Sequence, residues 1–388
     1  MLDKICLIKP VLAYHSNKNK LIPSRGIKNN YILIKMNRNS RRNFLQKSAL
    51  TASLASISTI GLAETFGIDR PSNSPENPVG KLPREVWIAS FSQEKLFTDS
   101  IETMVKSVME YLRAIEPFVP DVICLPESFY ISNTKIEGRL STEQRITKSE
   151  EVLKQFSDFS KKNKCYTICA VDTPAANGMF YNSAIVIDRQ GKRIGAYHKI
   201  HPTEGEIEDG TMPGPLFQPV IQTDFGKIGI QICFDVLWDD GWEMYRKQGA
   251  EIIFFPSAFP GGQMINSRAW KHKCVVVSST RKGTSKICGI TGEELAKTGF
   301  WNPQLCWAPV NLEKAFLHLW PFVKHFPEIQ KKYGRKVDIK IFHEEEWAVI
   351  ESLSPDVFVN DILKEFNLKT HAEITADGEK AQIEARGK

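Results

Sequence analysis

Gly226-Lys227-Ile228-Gly229-Ile230-Gln231-Ile232-Cys233-Phe234-Asp235 is the stretch from which the rest of the chain can be read. Its alternation and β-branched residues predict a strand over 227–233, and the pattern changes at the cysteine, with a helix expected around Trp242 to Gln248. A thiol held at such a turn projects into a cleft, where the next backbone N–H, that of Phe234, can point at the same substrate oxygen. Taken alone, a buried core cysteine is the simpler reading of Cys233.

The same switching of periods extends outward. Val86-Trp87-Ile88-Ala89-Ser90-Phe91 reads as a strand, and Ile101, Met104, Val105, Val108, Met109, Leu112 and Ile115 keep the spacing of an amphipathic helix. A short buried strand is expected at 122–125 and a helix from about Thr142 to Lys162. Further strands are expected near 165–171, 182–188, 251–256 and 274–279. Strands alternating with helices predict an α/β domain whose sheets are covered by helices. There is no internal repeat, GxGxxG or Walker A loop, so a nucleotide cofactor has no support.

Two more strand ends carry chemistry. Asp121-Val122-Ile123-Cys124-Leu125-Pro126-Glu127 puts a carboxylate on an apolar shoulder, where desolvation can tune it as a general base or acid; it can equally cap the following helix. Gly195-Ala196-Tyr197-His198-Lys199-Ile200-His201-Pro202 ends in a lysine able to stabilise an oxyanion, or simply to sit in solvent.

In the order Glu127, Lys199, Cys233, these segments resemble the catalytic signature of the nitrilase superfamily, the carbon-nitrogen hydrolases. The resemblance runs from about Glu85 to Asp356 and includes Pro213-Gly214, Phe225-Gly226-Lys227-Ile228-Gly229 and Gly249-Ala250-Glu251-Ile252-Ile253-Phe254-Phe255-Pro256-Ser257-Ala258. It implies a four-layer α-β-β-α sandwich, subunits that associate as homo-oligomers through a helical layer, and no metal or organic cofactor. In the implied mechanism Glu127 takes the Cys233 proton and the thiolate attacks an amide or carbamoyl carbon. Lys199 and the Phe234 N–H hold the oxyanion, and Glu127 then protonates the leaving amine and activates water against the thioester.

Amidase branches of that family often place a second glutamate after the lysine. Thr203-Glu204-Gly205-Glu206-Ile207-Glu208-Asp209 offers three, of which Glu206 is favoured over Glu204 and Glu208; the others read as surface acids. In that family the nitrilases usually follow the cysteine with Trp-Glu and the amidase and carbamoyl-amidase branches with an aromatic residue and Asp, so Phe234-Asp235 makes the resemblance imply an amide or N-carbamoyl substrate over a nitrile. Leu237 stands where the family often has Arg, and Asp239-Asp240 where Pro-Glu is frequent, which weakens any transfer of acid recognition from that Arg. Arg268, Lys271 and His272 lie on an expected helix at a place where the resemblance implies one bordering the pocket; they read as a carboxylate site or, more simply, a solvated basic face. Trp238, Phe259 and Trp270 are expected to pack the core rather than line the pocket.

Composition bounds the rest. The chain has 388 residues and a formal charge of +6, but the first 63 carry 11 Lys/Arg against one acid, leaving 40 Lys/Arg against 44 Asp/Glu in the body. The body therefore lacks the cationic excess a nucleic-acid groove needs. Residues 1–63 read as a leader: Ser40-Arg41-Arg42-Asn43-Phe44-Leu45-Gln46-Lys47, followed by an uncharged run to Ala63, resembles a twin-arginine export signal, with Met36 as a possible start. That run is too interrupted and short for a stable membrane span. Export predicts a periplasmic or secreted enzyme. A Pro-, Ser- and Asn-rich linker over 64–84, a hydrolase domain over 85–356 and an extension over 357–388 with a helix at Val357 to Phe366 complete the organisation.

Eight cysteines are too few for a disulfide scaffold, and Cys165 and Cys169 read as small apolar strand residues rather than half a zinc site. Two alternatives compete with the hydrolase reading. A papain-like enzyme would pair Cys233 with His198, His201 or His272, but its local cysteine signature is missing. A catalytically silent binding protein of the same fold would not need all three roles.

Overall fold

The computed structural model describes residues 81–136 and 138–387. The leader, Met36 and the linker up to residue 80 lie outside the described residues. The described chain opens with β1 (Glu85–Phe91), α1 (Ile101–Leu112), β2 (Val122–Cys124), α2 (Thr142–Asn163), β3 (Tyr166–Pro174), β4 (Phe180–Ile187) and β5 (Arg193–His198). The one-turn α3 (Glu204–Glu208) leads to β6 (Ile221–Gln222), β7 (Lys227–Ile230), α4 (Asp240–Lys247), β8 (Ile252–Ser257), α5 (Gln263–His272) and β9 (Val275–Thr280). Then come β10 (Lys286–Cys288), β11 (Glu294–Lys297), β12 (Leu305–Asn311) and β13 (Lys314–His318). The chain closes with α6 (Phe326–Tyr333), β14 (Val337–Phe342), β15 (Trp347–Ser352), α7 (Val359–Glu365) and α8 (His371–Arg386).

Two six-stranded sheets form, in the orders β12-β1-β2-β3-β4-β5 and β11-β10-β9-β8-β7-β6. Each has a parallel centre, β1-β2-β3 and β7-β8-β9, flanked by antiparallel strands. Strand alternation sorts the side chains between layers. Val86, Ile88, Val122 and Cys124 join the core shared with Ile228, Ile230 and Val276 of the other sheet. Ala89, Phe91 and Ile123 turn outward against Met104, Val105 and Val108 of α1 and Val152, Leu153 and Phe156 of α2. Trp242 and Tyr245 of α4 and Ile265 and Ala269 of α5 join the core from the second sheet's side, completing the expected α-β-β-α layering. Tyr245 packs so closely that a Cβ on Gly229 would meet its Cγ at 2.6 Å, which explains the glycine within β7. Helix starts follow local rules: Ser100 accepts from the Thr103 N–H, and Ser141 and Gln144 form a capping box.

Hydroxyls stitch the two sheets at the C-terminal ends of their central strands. Ser90 Oγ donates to Ser278 O at 2.6 Å, and Ser279 Oγ lies 2.5 Å from Phe91 O and 2.9 Å from Cys124 O. Glu127, Cys233 and Arg281 all emerge at this end, beyond β2, β7 and β9.

The structure departs from the sequence reading at the end of β7 and again in the C-terminal region. β7 stops at Ile230, short of the expected residue 233. Gln231 N still donates to Phe254 O, but the Ile232 N–H is taken by the Asp235 carboxylate at 2.8 Å, so a side chain replaces the neighbouring strand. Secondly, the strands from β13 onward form a separate three-stranded sheet, β13-β15-β14, with its own core of Leu317, Ile329, Ile350, Ile362 and Phe366. The boundary expected at 356/357 falls inside this unit, since Val357 and Val359 belong to its core. The α7 helix lies within the expected 357–366, and α8 buries none of its side chains.

The C-terminal unit is pinned to the sandwich through a lysine. Lys273, just after α5, holds its ammonium 3.9 Å from the Trp270 ring centroid, 4.4 Å from that of Phe316 and 5.8 Å from that of Trp347. Burial and the nearby Arg246 lower its pKa to about 8, while three aromatic faces favour the charged form. No helix among the described residues is long and apolar enough to cross a membrane.

Candidate active site

The turn that carries the cysteine is built by one carboxylate. Asp235, fully buried, accepts at Oδ2 from Tyr197 OH at 2.7 Å and Ile232 N at 2.8 Å, and at Oδ1 from His201 N at 2.8 Å. His201 Nδ1 lies 3.2 Å from the same Oδ1, and this hydrogen bond raises the pKa of its imidazole above the usual value. With its neighbours fixed, Cys233 begins a 3-10 turn over Cys233–Leu237 in the left-handed region, at φ 49°. Ser128, next to Glu127, has φ 45°. Such positions cost about 1–3 kcal/mol each and persist only where their surroundings over-determine them.

Glu127, Lys199, Glu206 and Cys233 open on one cavity of about 300 Å³, at the lower end of the range for small-molecule sites. Lys199, almost fully buried, donates to Glu127 Oε1 at 2.9 Å and to both Glu206 oxygens at 2.8 Å. Burial alone would lower the Lys199 pKa, but the two carboxylates hold it above the ordinary lysine value. Burial pushes the Glu127 carboxyl up, yet the charges of Lys199 and Arg281 and the hydrogen bonds from Lys199 and Asn182 hold it below its usual range. The Cys233 thiol is pushed up to about 12 by burial and by the Glu127 charge. The resting site therefore holds a neutral thiol beside a carboxylate and an ammonium.

Among the three glutamates of the 204–208 segment, Glu206 alone reaches Lys199, while Glu204 and Glu208 are exposed. A capping box orients it: Thr203 N donates to Glu206 Oε2 at 2.8 Å and Glu206 N to Thr203 Oγ1 at 3.3 Å. The pattern Thr203-x-x-Glu206 is visible in the sequence and would have selected this residue on local grounds.

Other residues of the site were not anticipated. Asn182 on β4 donates through Nδ2 to Glu127 Oε1 at 2.8 Å and to Glu206 Oε1 at 2.9 Å. Arg145 on α2 pairs with Asp172 at 3.0 Å, and Tyr130 OH donates to the same Asp172 oxygen at 2.8 Å. Burial raises the pKa of Asp172 against the pull of Arg145. Arg281 Nη2 stands 3.4 Å from Glu127 Oε2. A polar pair within an otherwise largely apolar strand, Asn182-Ser183 in β4 and Asp172-Thr173 in β3, is the only local signal for Asn182 and Asp172; Arg281 has none.

Other expected groups lie elsewhere. None of His198, His201 and His272 lines the cavity with Cys233: His198 meets Ser183, His201 meets Asp235 and Asp240, and His272 is buried beside Trp242. Arg268 and Lys271 are not the freely solvated face expected of them. Both pair with Asp239, and Arg268 also donates to Val236 O and Trp238 O, closing the segment that follows Cys233. Phe259 and Trp270 pack against the main core as expected, whereas Trp238 does not: it is 39% exposed and stacks on His201. Cys169 lies on β3 and Cys165 just before it, both buried in the apolar layer under α1 and α2, and the seven cysteines of the described residues are free thiols.

The chain belongs to the carbon-nitrogen hydrolase family, whose profile matches residues 88–315, more than half its length. A deaminated glutathione amidase from Synechocystis sp. is 27% identical over 183 residues, covering 42% of this chain and 66% of that protein. The chain spans about half to two thirds of the length of such curated relatives. A carbon-nitrogen hydrolase from Helicobacter pylori G27 superposes with a TM-score of 0.52 at 19% identity, over 64% of this chain and 93% of that one. An amidase from Nesterenkonia sp. AN1 gives 0.53 at 16% identity, over 62% and 94%. These structures share the fold.

If Asp235 builds the cysteine turn, Asp235→Ala should lower the unfolding free energy by about 3–5 kcal/mol, because it strands buried donors. Urea denaturation would check this, and a loss under about 1 kcal/mol would mean the turn is held by something else.

Proposed function

We propose that this protein is a thiol amidohydrolase that cleaves a small amide or N-carbamoyl compound through a thioester on Cys233. The observation that carries the reading is the buried Lys199 ammonium, bound to Glu127 and Glu206 on the cavity that Cys233 also lines. The names of the amidases to which the chain is similar support an amide substrate.

Because the resting thiol is neutral, its proton must leave as the carbon–sulfur bond forms. Glu127 is the base that takes it. Lys199 and the Phe234 N–H stabilise the oxyanion, for which one Lys199 hydrogen bond to a carboxylate must be exchanged for one to the substrate oxygen. Glu127 passes the proton to the departing ammonia or amine, then removes one from the water that opens the thioester. Glu206 keeps Lys199 charged and aimed. Export by the twin-arginine route and homo-oligomer formation are part of the same proposal; a thiol with its pKa near 12 suits an oxidising compartment, since oxidants react with the thiolate rather than with the neutral thiol.

Intact-mass spectrometry during turnover of simple amides and ureido acids should detect an acyl adduct that Cys233→Ala lacks. Glu127→Gln and Lys199→Ala should each lower kcat/KM by about a hundredfold or more. Absence of any adduct across the screen would favour a silent binding protein. In protein recovered from expressing cells, the mass should correspond to loss of the leader near Glu64; a full-length protein confined to the cytosol would overturn export.

Glu127 must be ionised to act, and its pKa lies below the ordinary 4.5. kcat/KM should therefore stay level from neutrality down to below pH 4.5 and fall only there, as the carboxylate is protonated. An acid limb centred near 6 would contradict this charge arrangement.

A further inference from the structure

The two oxygens of Glu127 are not equivalent. Oε1 accepts from Lys199 at 2.9 Å and from Asn182 at 2.8 Å, so the stronger hydrogen bonds lie on one side of the carboxylate. Oε2 is approached by Arg281 Nη2 at 3.4 Å, too long for a strong charge-assisted bond but well within Coulomb range. Oε2 is therefore the more basic oxygen, and the one with lone pairs open to a proton.

We infer that Arg281 is a positioning residue for the reaction proposed above: its charge beside Oε2, the oxygen that Lys199 and Asn182 leave open to the Cys233 proton, keeps Glu127 ionised at rest and repels that proton onward to the leaving amine. The Cys233 S–H bond breaks and an Oε2–H bond forms as sulfur attacks carbon. The same proton leaves Oε2 for nitrogen as the carbon–nitrogen bond breaks, restoring the Glu127 carboxylate beside an unchanged guanidinium. No other reactant is needed.

The guanidinium is well anchored for this task. Its backbone N–H donates to Ser257 O at 2.9 Å at the end of β8, beside the cavity-lining Ala258. Its Nη1 donates to Ser132 Oγ at 2.8 Å, and that hydroxyl donates to Ser128 O at 2.8 Å. Arg281 thus ties the second sheet to the strained residue next to Glu127. It carries unused capacity as well, since its buried Nε has no partner among the described residues.

The charged and titratable groups around Glu127 are Lys199 from the end of β5, Arg281 from the end of β9, Cys233 from the turn after β7, Glu206 through the shared Lys199 and Asn182, and Asp172, itself paired with Arg145. Lys199 is divided between two carboxylates and Arg145 is held by Asp172, so among the described residues Arg281 is the cation on these walls whose ion pair is with Glu127 alone. A guanidinium in a cavity wall can instead bind a substrate anion. Here such an anion would meet Glu127, Asp172, Glu206 and Asp209 on the same walls, which argues against that role.

The inference rests on Glu127 serving as the base, so Glu127→Gln and Cys233→Ala belong in the same experiment. kcat/KM is measured against pH with a neutral aliphatic amide and with a carboxylated amide such as succinamate. In Arg281→Met the acid limb should move up by about one pH unit or more, with KM for the neutral amide within about twofold of the parent. Arg281→Lys, which keeps the charge, should hold the limb near its original position. Arg281→Gln offers the same comparison with a donor left for Ser132, should the Met variant unfold. A limb that stays in place, or a loss confined to succinamate and expressed in KM, would overturn the inference. Unimpaired turnover by Glu127→Gln or Cys233→Ala would instead overturn the reading of the site on which it stands.

Discussion

The burial of one positive charge governs this site. An ammonium removed from water loses several kcal/mol of solvation, and the loss is tolerable only when opposite charges and good hydrogen bonds replace the water. Lys199 meets both conditions by spending its donors on Glu127 and Glu206. Because the carboxylates come from different parts of the chain, satisfying the lysine also brings the loop after β2, the end of β5 and the α3 turn together. Asn182 completes the arrangement by donating to both acids, so that neither drifts from the other.

The same charges set the resting state of the sulfur. Burial and a neighbouring carboxylate disfavour a thiolate, while Lys199 favours one too weakly to win. In the proposed reaction proton transfer and bond formation would thereby be coupled, with no free thiolate held between encounters. A cysteine poised as a thiolate would react faster with any electrophile, including oxidants; on the proposed mechanism one kept neutral would react only when a substrate is correctly placed against the oxyanion donors.

Much of this was legible because the decisive residues sit where a strand pattern breaks. Glu127, Lys199 and Cys233 each follow a short apolar run, and the α1 and α2 helices announce themselves by spacing and caps. The end of β7 was misjudged because Gln231-Ile232 keeps the strand alternation while a side-chain carboxylate, not a neighbouring strand, takes the Ile232 N–H. β12 went unrecognised: it pairs with β1 from the far end of the domain, and no local pattern records such a partner. In the β13-β15-β14 sheet only Val337-Asp338-Ile339-Lys340-Ile341 of β14 alternates cleanly, while β13 and β15 each bury three residues in a row, so the period of a half-buried sheet is blurred in two of its three strands. The meaning of Asn182, Asp172 and Arg281 arises only from what the folded chain places opposite them.

The lysine gripped by Trp270, Phe316 and Trp347 bears on what counts as the smallest self-sufficient piece of this molecule. A polypeptide cut where the family profile stops, at residue 315, would part Lys273 from two of its three rings and uncover the indole of Trp270, which also packs edge-on against Phe342. The appended unit is thus a plug for an otherwise greasy flank of the catalytic sandwich. Minimal versions designed from family boundaries alone would be expected to clump unless that flank were made polar.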